Sequence, residues 1–278
     1  MPDVDLDALR GRSVVVTGCT RGFGRVLVSR LAALGARVVV SGPVDAESEQ
    51  LAAELVAAGG EAVWCPGDVT VAAQVDGILA TAVEVFGRVD VWVNNAAYET
   101  PGMARVLDFP AEVWERTTEV NVLGTGRGTV VALRRMLLQG HGVIVNVTGR
   151  GDDLRPTKFS APYGASKSWI RAFTRTLRAE YRASGVNLVA FNPGIMATPR
   201  MQRARFEQPT VEQERTERQM EAVVRVLGDP PEVAAEALVR FLASPRARTA
   251  KELRLITPAR VVRGVSGEVR RRVRKADG

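Results

Sequence analysis

The feature that most constrains this chain is the succession of a strand, a glycine cluster and a helix near its start. Ser13-Val-Val-Val-Thr17 is a short β-branched apolar run that reads as a buried strand. It leads into Gly18-Cys-Thr-Arg-Gly-Phe-Gly24. Arg25–Leu34 then sets Val26, Leu27, Val28, Leu31 and Leu34 at helical spacing, and Gly35 closes the helix. Glycines 18, 22 and 24 permit a tight turn, close approach of backbone to a pyrophosphate, and dense helix–strand packing. The helix start offers free N–H groups and the positive end of its dipole to phosphates. A glycine-rich loop alone also serves plain turns. Between a strand and a helix it predicts dinucleotide binding.

The same alternation continues along the chain. Val38–Val40, Ala62–Trp64, Val89–Val93, Val143–Val147 and Val186–Phe191 read as further strands. Glu47–Ala58, Val75–Phe86, Ala111–Leu138 and Ala165–Ala183 read as helices between and after them. Strands regularly separated by helices predict an α/β fold, a single Rossmann-type doubly wound parallel sheet with helices on both faces. No Pro/Ser-rich linker interrupts residues 10–245, so residues 1–257 read as one nucleotide-binding domain that includes the catalytic site. The polar stretch from Pro199 to about Gly228, ahead of a helix around Pro231–Ala243, predicts an active-site lid over 195–227. Residues 258–278 read as a basic C-terminal extension.

Composition narrows the class further. With 46% hydrophobic and 25% charged residues over 278 positions, disorder, collagen and membrane classes are excluded as whole-chain descriptions. No apolar run approaches the roughly 20 residues of a membrane helix. The acidic start, Met1-Pro-Asp-Val-Asp, is unlike a signal peptide, and two cysteines make no disulfide framework. A cytoplasmic protein without a membrane partner is expected. The net charge of +7 would suggest nucleic acid, but residues 246–278 carry 11 basic and 3 acidic side chains while residues 1–245 carry 27 and 28. The excess therefore marks an unusual C-terminus and argues against a nucleic-acid partner.

The spacing TGxxxGxG resembles the short-chain dehydrogenase/reductase family, and other motifs follow in that family's order. Asp68-Val69 resembles its adenine-contacting pair, and Asn94-Asn-Ala-Ala97 its NNAG motif. Asn121, within Val-Asn-Val-Leu-Gly, resembles the family's helix asparagine. Tyr163-Gly-Ala-Ser-Lys167 matches YxxxK, and Pro193-Gly-Ile-Met-Ala-Thr198 matches PGxxxT. The resemblance implies a nicotinamide site built from Gly18, Thr20, Arg21, Gly22, Phe23, Gly24, Asp68, Val69, Asn95, Ala96, Tyr163, Lys167, Pro193, Gly194, Met196 and Thr198. It implies Tyr163 as general acid/base, Lys167 as its tuner and ribose ligand, and Asn121 as anchor of a proton-relay water. Independently of the family, Tyr163 and Lys167 are four apart and share one helix face. A neighbouring ammonium should move a tyrosine towards working pH.

One position departs from the pattern. The family's catalytic serine lies 13 residues before the tyrosine, where this chain reads Val145-Asn-Val-Thr-Gly-Arg150. Anchoring on Asn146 puts Gly149 in the serine slot, and anchoring on Tyr163 puts Arg150 there. Thr148 could supply the hydroxyl if the backbone shifts. Otherwise Thr148 points into the core, and Tyr163 or Arg150 activates the carbonyl. The strand before Val40-Ser-Gly-Pro-Val44 ends without the acid that binds ribose hydroxyls in NAD sites, and Arg21 resembles the arginine that pairs a 2′-phosphate. NADP(H) is therefore expected over NAD(H).

The expected activity is hydride transfer to a small-molecule carbonyl, or from the corresponding alcohol, by an enzyme of ketoreductase type. Two alternatives stand beside it: a redox-neutral isomerase, dehydratase or cyclase on the same scaffold, and a non-catalytic binding protein. Helices 111–138 and 165–183 resemble those of the family's subunit contact, implying a homodimer or homotetramer. His141, alone of its kind in the chain, gives no metal site. Cys19 is expected to pack rather than react.

Overall fold

The computed structural model describes residues 4–100, 102–196 and 210–256. Thr198, the rest of 197–209 and the basic stretch 257–278 lie outside the described residues. Strands β1 (Ser13–Thr17), β2 (Arg37–Gly42), β3 (Glu61–Pro66), β4 (Val91–Asn94), β5 (Gly142–Val147), β6 (Val186–Asn192) and β9 (Glu252–Arg254) form one parallel sheet in the order β3-β2-β1-β4-β5-β6-β9. This is the expected doubly wound α/β fold. Two-residue strands β7 (Ile195–Met196) and β8 (Gly228–Asp229) pair separately.

Side chains alternate across the sheet and fill a core on each face. Val14, Val16, Val38, Val40, Val91, Val93, Val143 and Val145 pack on α1 (Gly22–Ala33), α2 (Asp45–Ala57) and α8 (Pro231–Ala243). Val15, Val39, Trp92, Ile144 and Leu188 pack on α3 (Ala72–Phe86) and α5 (Thr125–Gln139). A strand buried on both faces needs a continuous apolar run, which is why β1 and β5 were legible as sequence. β3 lies at the sheet edge, where Trp64 remains 36% exposed.

Two elements differ from expectation. The helix read over 111–138 is divided into α4 (Ala111–Thr117), a π-helical stretch Thr118–Gly124, and α5. The hydroxyls of Thr117 and Thr118 donate back to Val113 O and Trp114 O, at 2.6 and 2.9 Å, a contact that loosens a helix turn. The last sheet strand is Glu252–Arg254. The expected lid contains a 17-residue helix, α7 (Val211–Leu227), begun by a Thr210–Gln213 capping box. The β7–β8 pair joins the base of this excursion.

Candidate active site

The sheet's C-terminal edge gathers the glycine loop, the end of β4, the β5–α6 loop and the start of α6 (Ala161–Glu180). Gly18 and Gly22 have φ of +62° and +55°. A Cβ on Gly18 would meet Ala96 Cα at 2.8 Å, whereas one on Gly22 would find nothing within 4 Å. Gly18 thus lets the loop press on the β4 end, and Gly22 leaves open space at the head of α1. Arg21, the N-cap residue, makes no side-chain cap. The first amides of α1 therefore keep no side-chain acceptor, as an anion cradle requires. A nicotinamide dinucleotide fits this donor set: its pyrophosphate would be held by the Gly18–Gly24 backbone. Phe23 turns its ring into the core, 5.8 Å from the Phe191 ring, so only its backbone is available to a ligand.

Thr17, absent from the expected site residues, ties the cradle together. Its Oγ1 accepts from the amides of Asn95 and Ala96, both at 3.1 Å, while Asn95 Nδ2 donates to Thr17 O and Gly18 O at 3.0 and 2.9 Å. Beneath it, Asn94 Nδ2 donates to Asn146 Oδ1 and Thr129 Oγ1, and Asn146 Nδ2 to Thr174 Oγ1. This buried network fixes β4 against β5. At the next station, Asp68 accepts from the amide and hydroxyl of Thr70, and Arg116 lies 3.7 Å away. Burial would raise the Asp68 pKa, but these partners outweigh it and the net shift is downward. Val69 is buried against Gly124, where a Cβ would come within 2.6 Å of it.

The adenosine end shows why no acid follows β2. A Cβ on Gly42 would lie 2.7 Å from Thr20 Cγ2 and 3.3 Å from Ser48 Oγ. The buried Thr20 fills the space a carboxylate would need. Arg21 is 72% exposed, and its nearest carboxylate, Glu47, is 4.0 Å away.

Pro162 in the first turn of α6 suits a helix start, and it places Tyr163 one turn before Lys167. The Lys167 Nζ lies 5.4 Å from the Tyr163 ring and donates to Val147 O at 3.2 Å. A Cβ on Gly149 would sit 2.9 Å from the Tyr163 hydroxyl and 3.7 Å from Lys167 Cε. Of the two anchorings of the serine slot, the one on Asn146 describes this geometry, with Gly149 facing the tyrosine. Arg150 instead extends to α7, its Nη1 3.4 Å from Met220 Sδ.

Thr148 does not face the site. Its hydroxyl donates to Asp152 Oδ2 at 2.7 Å and lies 3.1 Å from Phe191 O, with 2% of the residue exposed. Asp152 holds it there. This buried carboxylate also accepts from Asn192 Nδ2 at 3.0 Å and takes two bonds of 2.9 Å from Arg254. Asn192 further donates to Gly149 O at 3.2 Å and accepts from the Gly194 amide at 2.9 Å. Pro193 and Gly194, with φ of +82° at Gly194, thereby leave β6 beside the β5–α6 loop, and Met196 packs on the core. Nothing in the order of residues announced Asp152, since its partners come from positions 148, 192 and 254.

Asn121 lies fully buried in the π-helical stretch. Its Oδ1 accepts from Tyr98 N at 2.7 Å, and its Nδ2 donates to Tyr98 O and Ser166 Oγ, both at 3.0 Å. The side chain thus pins the loop after β4 to α6.

The charges differ from the simple expectation. Tyr163 is shifted upward, led by burial, with Glu99 and Asp152 adding to it and Arg150 opposing. Lys167 falls to about 8, again led by burial. Lys167 remains mostly an ammonium at neutral pH, but burial of the tyrosine outweighs any lowering a neighbouring cation would bring. The phenol is accordingly protonated at neutral pH. Glu99, on the loop after β4, is an acidic influence that belongs to none of the sequence motifs. Cys19 is fully buried and pushed up to about 12, which accords with packing rather than reaction.

A parallel sheet of this order, with a nucleotide cradle and a tyrosine–lysine pair on one edge, defines a Rossmann-type oxidoreductase scaffold. The profile described as "short chain dehydrogenase" matches residues 12–209. The short-chain reductase protein NovJ of Streptomyces niveus is 35% identical over 238 residues, covering 83% of this chain and 86% of NovJ. An actinorhodin polyketide ketoreductase variant solved with NADPH superposes with a TM-score of 0.76 at 30% identity, covering 91% of this chain and 97% of that one. A 3-ketoacyl-(acyl-carrier-protein) reductase from Brucella melitensis, complexed with NADH, gives 0.76 at 28% identity, covering 89% and 97%. The chain belongs to the short-chain dehydrogenase/reductase family, whose members use NAD(H) or NADP(H). Among the described residues no helix is long and apolar enough to cross a membrane, and no cluster of side chains could hold a metal.

Proposed function

We propose that this protein is an NADP(H)-dependent ketoreductase that reduces a small-molecule ketone, with Tyr163 as the proton donor. The observation that carries this reading is the convergence of Tyr163, Lys167 and Gly149 on the edge that bears the glycine cradle. The cofactor, when bound, supplies a hydride to the carbonyl carbon. Tyr163 then gives its phenolic proton to the carbonyl oxygen, and its upward-shifted pKa keeps it protonated for that step. Lys167, when protonated, stabilises the tyrosinate left behind and offers its ammonium to a ribose hydroxyl. Asn121 positions the loop after β4 that borders the carbonyl. Gly149, lacking a side chain, lets the Tyr163 hydroxyl come close to the β5–α6 loop and leaves the phenol as the principal donor to the oxygen.

NADP(H) is favoured by the filled space at Gly42 and by the exposed Arg21, whose guanidinium suits a 2′-phosphate. The two ketoreductase structures, one complexed with NADPH and one with NADH, are compatible with either nicotinamide. A homodimer or homotetramer is proposed on the 37% exposure of Trp114 and Trp169 on α4 and α6. The missing hydroxyl at position 149 favours one second reading, proton chemistry without net cofactor oxidation.

Thermal shift with NADPH, NADP+, NADH and NAD+, followed by NADPH oxidation against a ketone panel, tests the reading. NADPH should stabilise most, Arg21→Ala should abolish its advantage over NADH, and Tyr163→Phe should stop oxidation while keeping the shift. Ketone turnover without NADPH loss would select the second reading. No stabilisation by any nicotinamide would overturn both.

A further inference from the structure

The opposite edge of the sheet carries a feature that the reaction does not use. A cavity of about 600 Å³ opens at the N-terminal ends of β1, β4, β5 and β6. Arg12, Arg88, Arg178, Arg182 and Arg248 line it together with His141, and Asp90 is its lone carboxylate. Arginine makes up a third of the lining but only about an eighth of the chain. The abundance of arginine in the sequence therefore does not explain the cluster.

The arginines come from four separate parts of the fold: the segment before β1, the segment before β4, the end of α6 and the α8–β9 connection. A helix C-terminus attracts cations, which accounts for Arg178 and Arg182. It does not account for Arg12, Arg88 and Arg248 facing the same space. Asp90 is already engaged, accepting from the Ser13 amide at 3.0 Å and from Arg88 Nε at 2.9 Å. Arg12 donates to Leu242 O, and Arg178 to Asn187 Oδ1 and Thr249 O. Among the described residues Arg182 and Arg248 have neither a hydrogen-bond nor an ion-pair partner. Arg12 is half-buried, and its pKa is lowered first by desolvation, with Arg248 and Arg88 adding to the effect and Asp90 opposing it. Like charges have thus been gathered in a concave site without matching acids. Such a site focuses positive potential and is relieved by a bound anion.

We propose that this cavity is a second ligand site, separate from the nicotinamide site, for a small molecule carrying two or more linked phosphates. Its volume falls in the range of small-molecule pockets. Planar guanidinium groups pair phosphate oxygens in forked, charge-assisted bonds. With one of five cations matched by Asp90, the remaining charge suits an oligophosphate better than a monoanion. Arg182 and Arg248, unpartnered among the described residues, would supply the forks, with Arg12 and Arg88 beside them in the lining.

The test uses the full chain, saturated with NADPH so that the glycine cradle is occupied, and inorganic tripolyphosphate as probe in calorimetry. Binding is expected, and Arg182→Ser/Arg248→Ser should weaken it by roughly tenfold or more. Neither side chain has a partner among the described residues, so the variant should melt like the parent. Arg134→Ser/Arg215→Ser removes the same charge elsewhere and should leave affinity unchanged. Equal loss in both double variants, or no loss in the first, would overturn the site. Citrate binding as tightly as tripolyphosphate would overturn the phosphate assignment. Duplex DNA binding abolished by the same pair, without tripolyphosphate binding, would overturn a small ligand.

Discussion

Asp152→Asn is the substitution that most directly probes how the catalytic loop is held. The carboxylate is 3% exposed and receives four hydrogen bonds. Three of them converge on Oδ2, from Thr148, Asn192 and Arg254, and the fourth reaches Oδ1 from Arg254 Nη2. An amide oxygen would therefore keep the Oδ2 position, and the amide nitrogen would face Arg254 Nη2, donor against donor. The variant loses one bond, gains that repulsion, and removes the charge opposite Arg254. Breaking a buried pair at one partner costs about 3–5 kcal/mol. Arg254 is 30% exposed and has Glu252 at 4.0 Å, so it retains some water and a substitute carboxylate. The low end, about 3 kcal/mol, is therefore expected, a fall in Tm of about 6–12 °C for a domain of this size.

The pH dependence has a definite sign. Burial would raise the Asp152 pKa, but Arg254, Thr148 and Asn192 outweigh it, and the folded value lies below the ordinary 3.8. Its stabilisation is present above the unfolded-state pKa and is lost as pH falls through the folded one. Thermal melts of parent and variant should differ most near neutrality and converge in acid. A Tm difference within about 1 °C at neutral pH, or a gap that widens on acidification, would refute the reasoning.

Lys167→Met should separate stability from catalysis. Because burial lowers Lys167 to about 8 from 10.5, the unfolded chain binds its proton more tightly than the folded one. The folded state is penalised below pH 8, and the penalty lifts between 8 and 10.5. The variant should gain up to about 3 kcal/mol at neutral pH while losing turnover, an advantage that shrinks in melts at high pH. At position 149, Ala and Ser both push on the Tyr163 hydroxyl, which a Cβ meets at 2.9 Å. Only Ser restores a donor, so kcat of Gly149→Ser should exceed that of Gly149→Ala by about a hundredfold. Equal values would show that this slot does not face the carbonyl.

Local order was legible wherever one segment carries its own reason. β1 is apolar from Val14 to Val16 because it is buried on both faces, Gly18 and Gly22 need their left-handed conformations, and YxxxK needs only one helix turn. The π-helical stretch was not legible, because helical spacing continues through it and the side chain of Asn121 finds its partners on Tyr98 and Ser166. Nor could the two alignments of the serine slot be separated from the order of residues. They differ by one position, and the difference becomes physical only when β5 meets α6.

The sequence alone therefore determined the sheet architecture, the nucleotide cradle and the pairing of Tyr163 with Lys167, since each depends on residues close together in the chain. Tertiary structure decided that Gly149 faces the phenol, that Thr148 turns away, and that burial raises the tyrosine while lowering the lysine. It also decided that Asp152 meets Arg254, 102 positions away, and that five arginines share one cavity. Desolvation and long-range charge depend on what packs opposite a residue, and only the folded chain supplies that.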